Sequence, residues 1–186
     1  HRLSVNIRRL QLDGYRDHSE SLVRGAGIIG HHRLSDRWQL TSVLNIYDAP
    51  YLLNPSSMNR EDAETRPRYA RGFVVSQGAS KVARQVQGGF TLRHEAGPTR
   101  SEVTLFGVDR SLDSPIPGGV IDLSRSSGGV RASHSRDQPL GDTPVRWQVG
   151  LDVEAQRDER AEFDNEGLTD TDIDPEDVPD AVVLGT

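Results

Sequence analysis

The stretch Val145 to Gln156, VRWQVGLDVEAQ, limits the folds open to this chain more than any other. Val145, Trp147, Val149, Leu151, Val153 and Ala155 are apolar, and Arg146, Gln148, Gly150, Asp152, Glu154 and Gln156 between them are polar or Gly. A period of two puts one class of side chain on each side of an extended backbone, and a helix has no use for it. Strands in soluble domains average about 5 to 6 residues, whereas a tilted strand crossing a bilayer needs about 9 to 11. Twelve alternating residues suit a membrane wall better than a sandwich.

Hydropathy alone does not separate a soluble chain from one that meets a membrane as strands. No apolar run approaches the roughly 18 residues of a transmembrane helix, and no charged-then-apolar signal segment opens the chain, which starts at His1 inside an expected strand. The negative mean hydropathy does not exclude a membrane barrel, because a barrel strand shows its apolar residues only at every second position. With 186 residues, 34% hydrophobic and 27% charged, the chain is long enough for one ordinary domain. Without Cys there is no disulfide framework, thiolate metal site or Cys nucleophile. A formal charge of -6 with Lys81 as the one Lys argues against general nucleic-acid binding, which needs a clustered cationic surface.

Taken in order, Arg2 to Leu12 sets Leu3, Val5 and Ile7 on one face before Leu10 and Leu12 shift the phase, which predicts a bulge near Arg9. Asp13 to Ser21 is a polar loop, Leu22 to Leu34 a Gly-interrupted strand, and Ser35-Asp36-Arg37 a tight turn into a strand from Trp38. From Asp48 to about Ala79 the periodicity disappears, and Pro50, Pro55 and Pro67 predict a loop of some thirty residues. Ser80 to His94 alternates, Glu95 to Thr99 turns, and Ser101 to Leu112 is extended with Phe106 and Val108 blurring the phase. A loop is expected at Asp113 to Ser124, a short strand at Gly128 to Arg136 and a turn at Asp137 to Pro144. After Glu159 the chain reads as acidic and aperiodic, which divides it into a strand-rich part, 1-158, and an acidic loop or tail, 159-186. Every second connection is short, as in a barrel with short turns at one end and long loops at the other. Trp38 and Trp147 both follow short turns, where one interfacial aromatic girdle would sit; two core tryptophans remain the alternative.

The segments LQLDGYRDHS (Leu10 to Ser19), SDRW, YDAP (Tyr47 to Pro50), SKVARQVQGGFTLRHE, LFGVDRSLDSPIP and VIDLSRSSGGVRAS resemble barrel segments of the TonB-dependent receptors of bacterial outer membranes, over roughly Arg2 to Leu168. The family's plug, its energy-coupling box and a closing C-terminal strand are not matched in this sequence. The resemblance implies an all-β fold, an antiparallel up-and-down meander of about seven strands forming a partial transmembrane β-barrel that is not closed, since bacterial barrels have even strand numbers. It further implies a non-enzymatic outer-membrane importer of a scarce nutrient such as a ferric siderophore, in contact with lipid and driven by the TonB complex through a plug absent from this chain. A secreted or periplasmic β-rich binding module with the oily face turned into a core remains the alternative.

No catalytic constellation is legible. His31, His32, His94 and His134 lack the spacing of a metal motif, and strand-end or lumenal positions are expected for them. Asp170, Asp172 and Asp174 alternate as at the start of a calcium loop, but the Gly at the sixth position and the Glu at the twelfth do not follow. No G-x-S-x-G elbow or phosphate loop occurs, and no cofactor is expected. Binding residues concentrate on loops held by a rigid scaffold, so the candidate ligand contacts are Tyr51, Asn54, Arg60, Arg66, Arg68 and Tyr69 of the long loop, aromatic and cationic groups suited to an anionic, ring-bearing ligand.

Overall fold

Alternation builds one sheet. The computed structural model describes residues 1–167. Seven strands, β1 (Arg2–Leu12), β2 (Ser21–Arg33), β3 (Trp38–Leu53), β4 (Ser80–Ala96), β5 (Thr99–Ile116), β6 (Gly119–Asp137) and β7 (Arg146–Phe163), pair antiparallel in sequence order. The sheet is open along β1 and β7 among the described residues. Two short helices, α1 (Arg60–Thr65) and α2 (Gly72–Ser76), lie between β3 and β4.

The register keeps like residues together. Val5, Ile28, Leu44, Gly88, Gly107, Gly128 and Ala155 stand in one row across all seven strands. The rows beside it carry Leu3, Phe90, Leu105, Val130 and Val153 on the turn side and Ile7, Ala26, Ile46 and Val86 on the loop side. These side chains form an apolar band with no cover among the described residues, Ile7 being 80% exposed and Leu151 65%. The opposite face carries Arg8, Asn45, Gln85, Gln87, Thr91, Arg131, Asp152 and Glu154, and it is the concave one, since it lines an open cavity of about 720 Å³.

Both margins of the band are marked. On the turn side Trp38 stacks on His94 with ring centroids 4.4 Å apart, and Trp147 lies 5.4 Å from His134, whose Nδ1 bonds the Ser101 hydroxyl at 2.8 Å. Trp38 and Trp147 thus sit at the same end, and His94 and His134 at strand ends. On the loop side Asp48 pairs with Arg84 at 3.2 Å and with Arg24 at 3.8 Å. From Trp38 to Asp48 the strand rises about 33 Å, which a tilt of roughly 35 to 45° projects to about 23 to 27 Å, the height of a barrel's apolar belt.

The band also crosses the rows obliquely. Leu3, the first apolar residue of its face on β1, stands in the row of Val153, yet the β7 apolar run begins at Trp147, six residues nearer the turns. In a barrel of that tilt, a line perpendicular to the barrel axis drifts along the strands by about 1 to 1.4 residues per strand, so six to nine over six strands. The loop-side margin drifts the same way by two residues, from Ile7 in the row of Arg157 to Ala155.

Several expected boundaries move. No bulge occurs near Arg9, because β1 pairs with β2 without interruption and Leu10 and Leu12 simply lie on the concave face at the loop end. The irregularities fall instead between Leu22 and Arg24 and between Ala49 and Leu52. Strand β3 continues to Leu53, so Tyr51 is a strand residue and the loop starts at Asn54. The loop expected at Asp113 to Ser124 is the two-residue turn Pro117-Gly118, with Gly118 at φ +86, and β6 is 19 residues long. Long and short connections therefore do not alternate throughout. Strand β7 runs on to Phe163, past Glu159, and Asp170, Asp172 and Asp174 lie outside the described residues.

Phe106, which blurred the phase of β5, has a packing reason. It points to the concave face between Gly89 of β4 and Gly129 of β6, and a Cβ on Gly129 would stand 2.8 Å from its ring and 2.5 Å from the Val153 carbonyl oxygen. Gly107, by contrast, has nothing closer than 3.7 Å. Gly129→Ala is expected to destabilise the sheet by about 1 to 3 kcal/mol through overpacking, and Gly107→Ala by far less. Urea unfolding of the detergent-folded protein measures this, and equal losses at the two positions would contradict the packing account.

Candidate functional site

Burial concentrates at the loop end of the sheet. Among the described residues, the buried apolar ones are Ala70, Val74 and Ala79 of the β3–β4 loop with Leu22, Ala49 and Ala83 of the adjoining strands. The loop folds locally because Asn59 caps α1, its Oδ1 accepting the Asp62 N–H at 2.7 Å, and because Glu61 and Asp62 complement the positive end of the helix.

Polar side chains lace this loop to its neighbours. The Arg16 guanidinium, from the β1–β2 loop, donates to the carbonyls of Tyr69 at 2.8 Å, Pro55 at 3.1 Å and Ser56 at 2.5 Å. The Asp17 N–H donates to Arg68 O at 2.7 Å, and His18 Nε2 lies 2.9 Å from Ala79 O. Further across, Gln77 accepts the Gly118 N–H at 2.9 Å, and Asn165 Nδ2 donates to the carbonyls of Gln77 at 2.9 Å and Ile116 at 3.1 Å. The long loop is thereby tied to the β1–β2 loop, the β5–β6 turn and the segment after β7.

The six sequence-predicted residues are scattered over this assembly. Tyr51 belongs to β3, opposite Leu22. Asn54 is used locally, its Oδ1 accepting the Ser56 N–H at 2.9 Å. Arg60 pairs with Glu64 at 2.7 Å along α1. Arg66 pairs with Asp62, whose hydrogen bond and charge raise its pKa above the usual guanidinium range, and its guanidinium lies 4.2 Å from the Tyr69 ring centroid. Arg68 stands 5.7 Å from the Tyr15 ring. Arg66 and Tyr69 are thus brought together, whereas Arg60, Asn54 and Tyr51 have separate partners. Arg16 and Gln77, which hold the assembly, carry no sequence signal, because a single Arg or Gln in a polar loop has no periodicity or spacing to mark it.

Below the loops the concave face holds an open cavity of about 720 Å³ running from Ser4, Asn6 and Arg8 of β1 to Arg110 and Leu112 of β5. Tyr47, Asn45, Gln85 and Gln87 line its wall. No group of three or more His, Cys, Asp or Glu suited to a metal ion occurs among the described residues.

No protein-family model matches the chain, and no curated protein does. Among solved structures, the ferric citrate transporter FecA in its unliganded form matches 89% of this chain with a TM-score of 0.76 at 12% sequence identity. This chain spans 25% of that protein's length. At such identity the likeness concerns the fold, an unclosed antiparallel portion of a larger barrel.

The Arg16 clasp has a measurable consequence. Arg16→Ala leaves three carbonyls without their charged donor, at a cost of about 1.5 to 3 kcal/mol to the loop assembly. Hydrogen exchange at the Asp17 and Asn54 amides should accelerate by at least tenfold while amides of β4 and β5 keep their protection. Unchanged exchange at Asp17 would show that the two loops are held by something else.

Proposed function

We propose that this chain is part of the β-barrel of an outer-membrane TonB-dependent receptor that imports a scarce nutrient such as a ferric siderophore. The observation that carries this reading is the uncovered apolar band, bounded by Trp-His pairs on one side and the Arg24–Asp48–Arg84 group on the other. A soluble binding module would leave that band in water, where an exposed apolar surface drives association. Against hydrocarbon it is matched. The fold likeness to a ferric citrate transporter supports a transport role over an enzymatic one.

On this reading the concave face lines the lumen, and the loops laced by Arg16 and Gln77 lie on the outer side. Ligand contact falls to Tyr51, Asn54, Arg60, Arg66, Arg68 and Tyr69, of which Arg60 and Arg66 would exchange their ion-pair partners for an anionic ligand. TonB engages a plug encoded outside this sequence.

Two measurements on the full-length receptor test the reading. Leu151 lies midway along β7 between Trp147 and Arg157, so Leu151→Arg puts a charge near the bilayer centre at a cost of about 2 to 4 kcal/mol. Gln148→Arg, on the lumenal face, should leave the heat-modifiable folded band intact while Leu151→Arg depletes it. Equal tolerance would reject the orientation, and a monodisperse detergent-free protein would reject the barrel. Deleting residues 56–67 should lower ligand affinity at least tenfold with the barrel still folded; unchanged uptake would remove this loop from recognition.

A further inference from the structure

The turn-side margin of the apolar band is built from imidazoles as much as from indoles. Trp38, His94, Ser101, His134 and Val149 share one convex row across β3 to β7. His32 stands one convex row further in, opposite Leu40, with its ring 5.4 Å from that of His1. A membrane-interface girdle is ordinarily made of Trp and Tyr. Here all four tyrosines lie elsewhere, Tyr15 and Tyr69 in loops and Tyr47 and Tyr51 at the loop end of β3.

Charge is sorted between the two faces at this end. The turn-end acids of β4 to β6, Glu95, Glu102 and Asp137, stand on the concave face, where they meet Arg100 at 2.9 Å, Arg93 at 2.8 Å and Arg146 at 2.5 Å. The convex face there carries Arg136, between Thr99 and Trp147 in its row, and its acids, such as Asp48 and Asp109, stand toward the loops. His94, Ser101, His134 and Arg136 belong to β4, β5 and β6, each flanked on both sides by a strand of this chain. Strands continuing the sheet beyond β1 or β7 therefore do not come between them.

The row has the shape of a seat. Two strand spacings of about 4.8 Å set the His94 and His134 backbones roughly 10 Å apart, with Ser101 midway. Trp38 stacks on His94 at one end, and Trp147 lies 5.4 Å from the His134 ring at the other. The Ser101 hydroxyl occupies His134 Nδ1 at 2.8 Å, which leaves Nε2 for an outside partner. The next row inward holds Leu92, Val103, Ala132 and Leu151, an apolar track for acyl chains.

We propose that this seat holds the phosphodiester of an anionic membrane phospholipid, between His94 and His134 and over Ser101, with Arg136 as its counter-charge. The inference rests on the barrel reading and adds the class of lipid that the turn-side margin selects. Phosphate oxygens accept charge-assisted hydrogen bonds from a guanidinium, and ring N–H groups add donors at the sides. A zwitterionic choline headgroup brings its own cation to Arg136, whereas a glycerol headgroup brings none.

Native mass spectrometry of the detergent-folded full-length receptor tests this, with phosphatidylglycerol, phosphatidylcholine and inorganic phosphate as probes and heat-modifiable mobility as the check on folding. Phosphatidylglycerol should bind about three- to fivefold more tightly than phosphatidylcholine, and Arg136→Gln should bring the two within twofold of each other. His94→Ala with His134→Ala should weaken phosphatidylglycerol about tenfold, whereas His31→Ala, on the concave face, stays within twofold. A folded receptor that binds the two lipids equally, that keeps its preference after Arg136→Gln, or that takes inorganic phosphate more tightly than phosphatidylglycerol overturns the proposal. A wild-type protein without heat-modifiable mobility would overturn the barrel reading instead.

Discussion

Backbone hydrogen bonds made between strands are the constraint from which the rest of this structure follows. Hydrocarbon offers no partner to a free N–H or C=O, so a chain that stands against it must satisfy those groups within its own ladders. The ladders here run in unbroken register through the apolar band. Their two irregularities, at Leu22/Arg24 and Ala49/Leu52, lie beyond the Arg24–Asp48–Arg84 group, where loop groups and water can serve the displaced backbone. On the proposed reading, regularity coincides with the bilayer depth at which irregularity would be most costly.

Once the backbone is paired, the period of two decides everything else about the faces. The apolar face needs no pairing of charges because it holds hardly any between its margins. The concave face holds many, and β4 to β7 pair theirs across strands, Arg93 with Glu102, Arg131 with Asp152 and Arg125 with Asp158. Exposed pairs of this kind contribute only about 0.2 to 1 kcal/mol each, so they hold register more than they hold the fold. The cavity on the concave face between β1 and β5 near the loops is lined by no Asp or Glu, and the same geometry leaves it cationic. One sheet thus carries a lipid-type surface, a neutralised wall and a charged recess.

Much of this was legible in the residues. Seven antiparallel strands in order follow from alternation and turn signals, and β3 and β7 are nearly explicit because their apolar and polar residues separate cleanly. Legibility failed where Pro and Gly gathered. Pro115, Pro117, Gly118 and Gly119 suggested a long loop, but two of these residues make the turn and the others sit inside paired strands. It failed also at Phe106, whose place on the polar face depends on glycines in two other strands. The site was less legible than the fold. The arginines of the long loop stood out by composition, whereas the Arg16 clasp and the juxtaposition of Arg8 with Arg110 exist only through register, which no local pattern contains.

On the proposed reading the odd-numbered face of β7 meets lipid and the even-numbered face meets water. Single cysteines at positions 147 to 156, introduced into an otherwise cysteine-free full-length protein reconstituted into bilayers, can be spin-labelled one at a time. Collision with oxygen and with a water-soluble nickel chelate should then alternate with a period of two, oxygen dominating at Val149, Leu151 and Val153 and nickel at Gln148, Asp152 and Glu154. Nickel access at Leu151 equal to that at Asp152 would contradict the account.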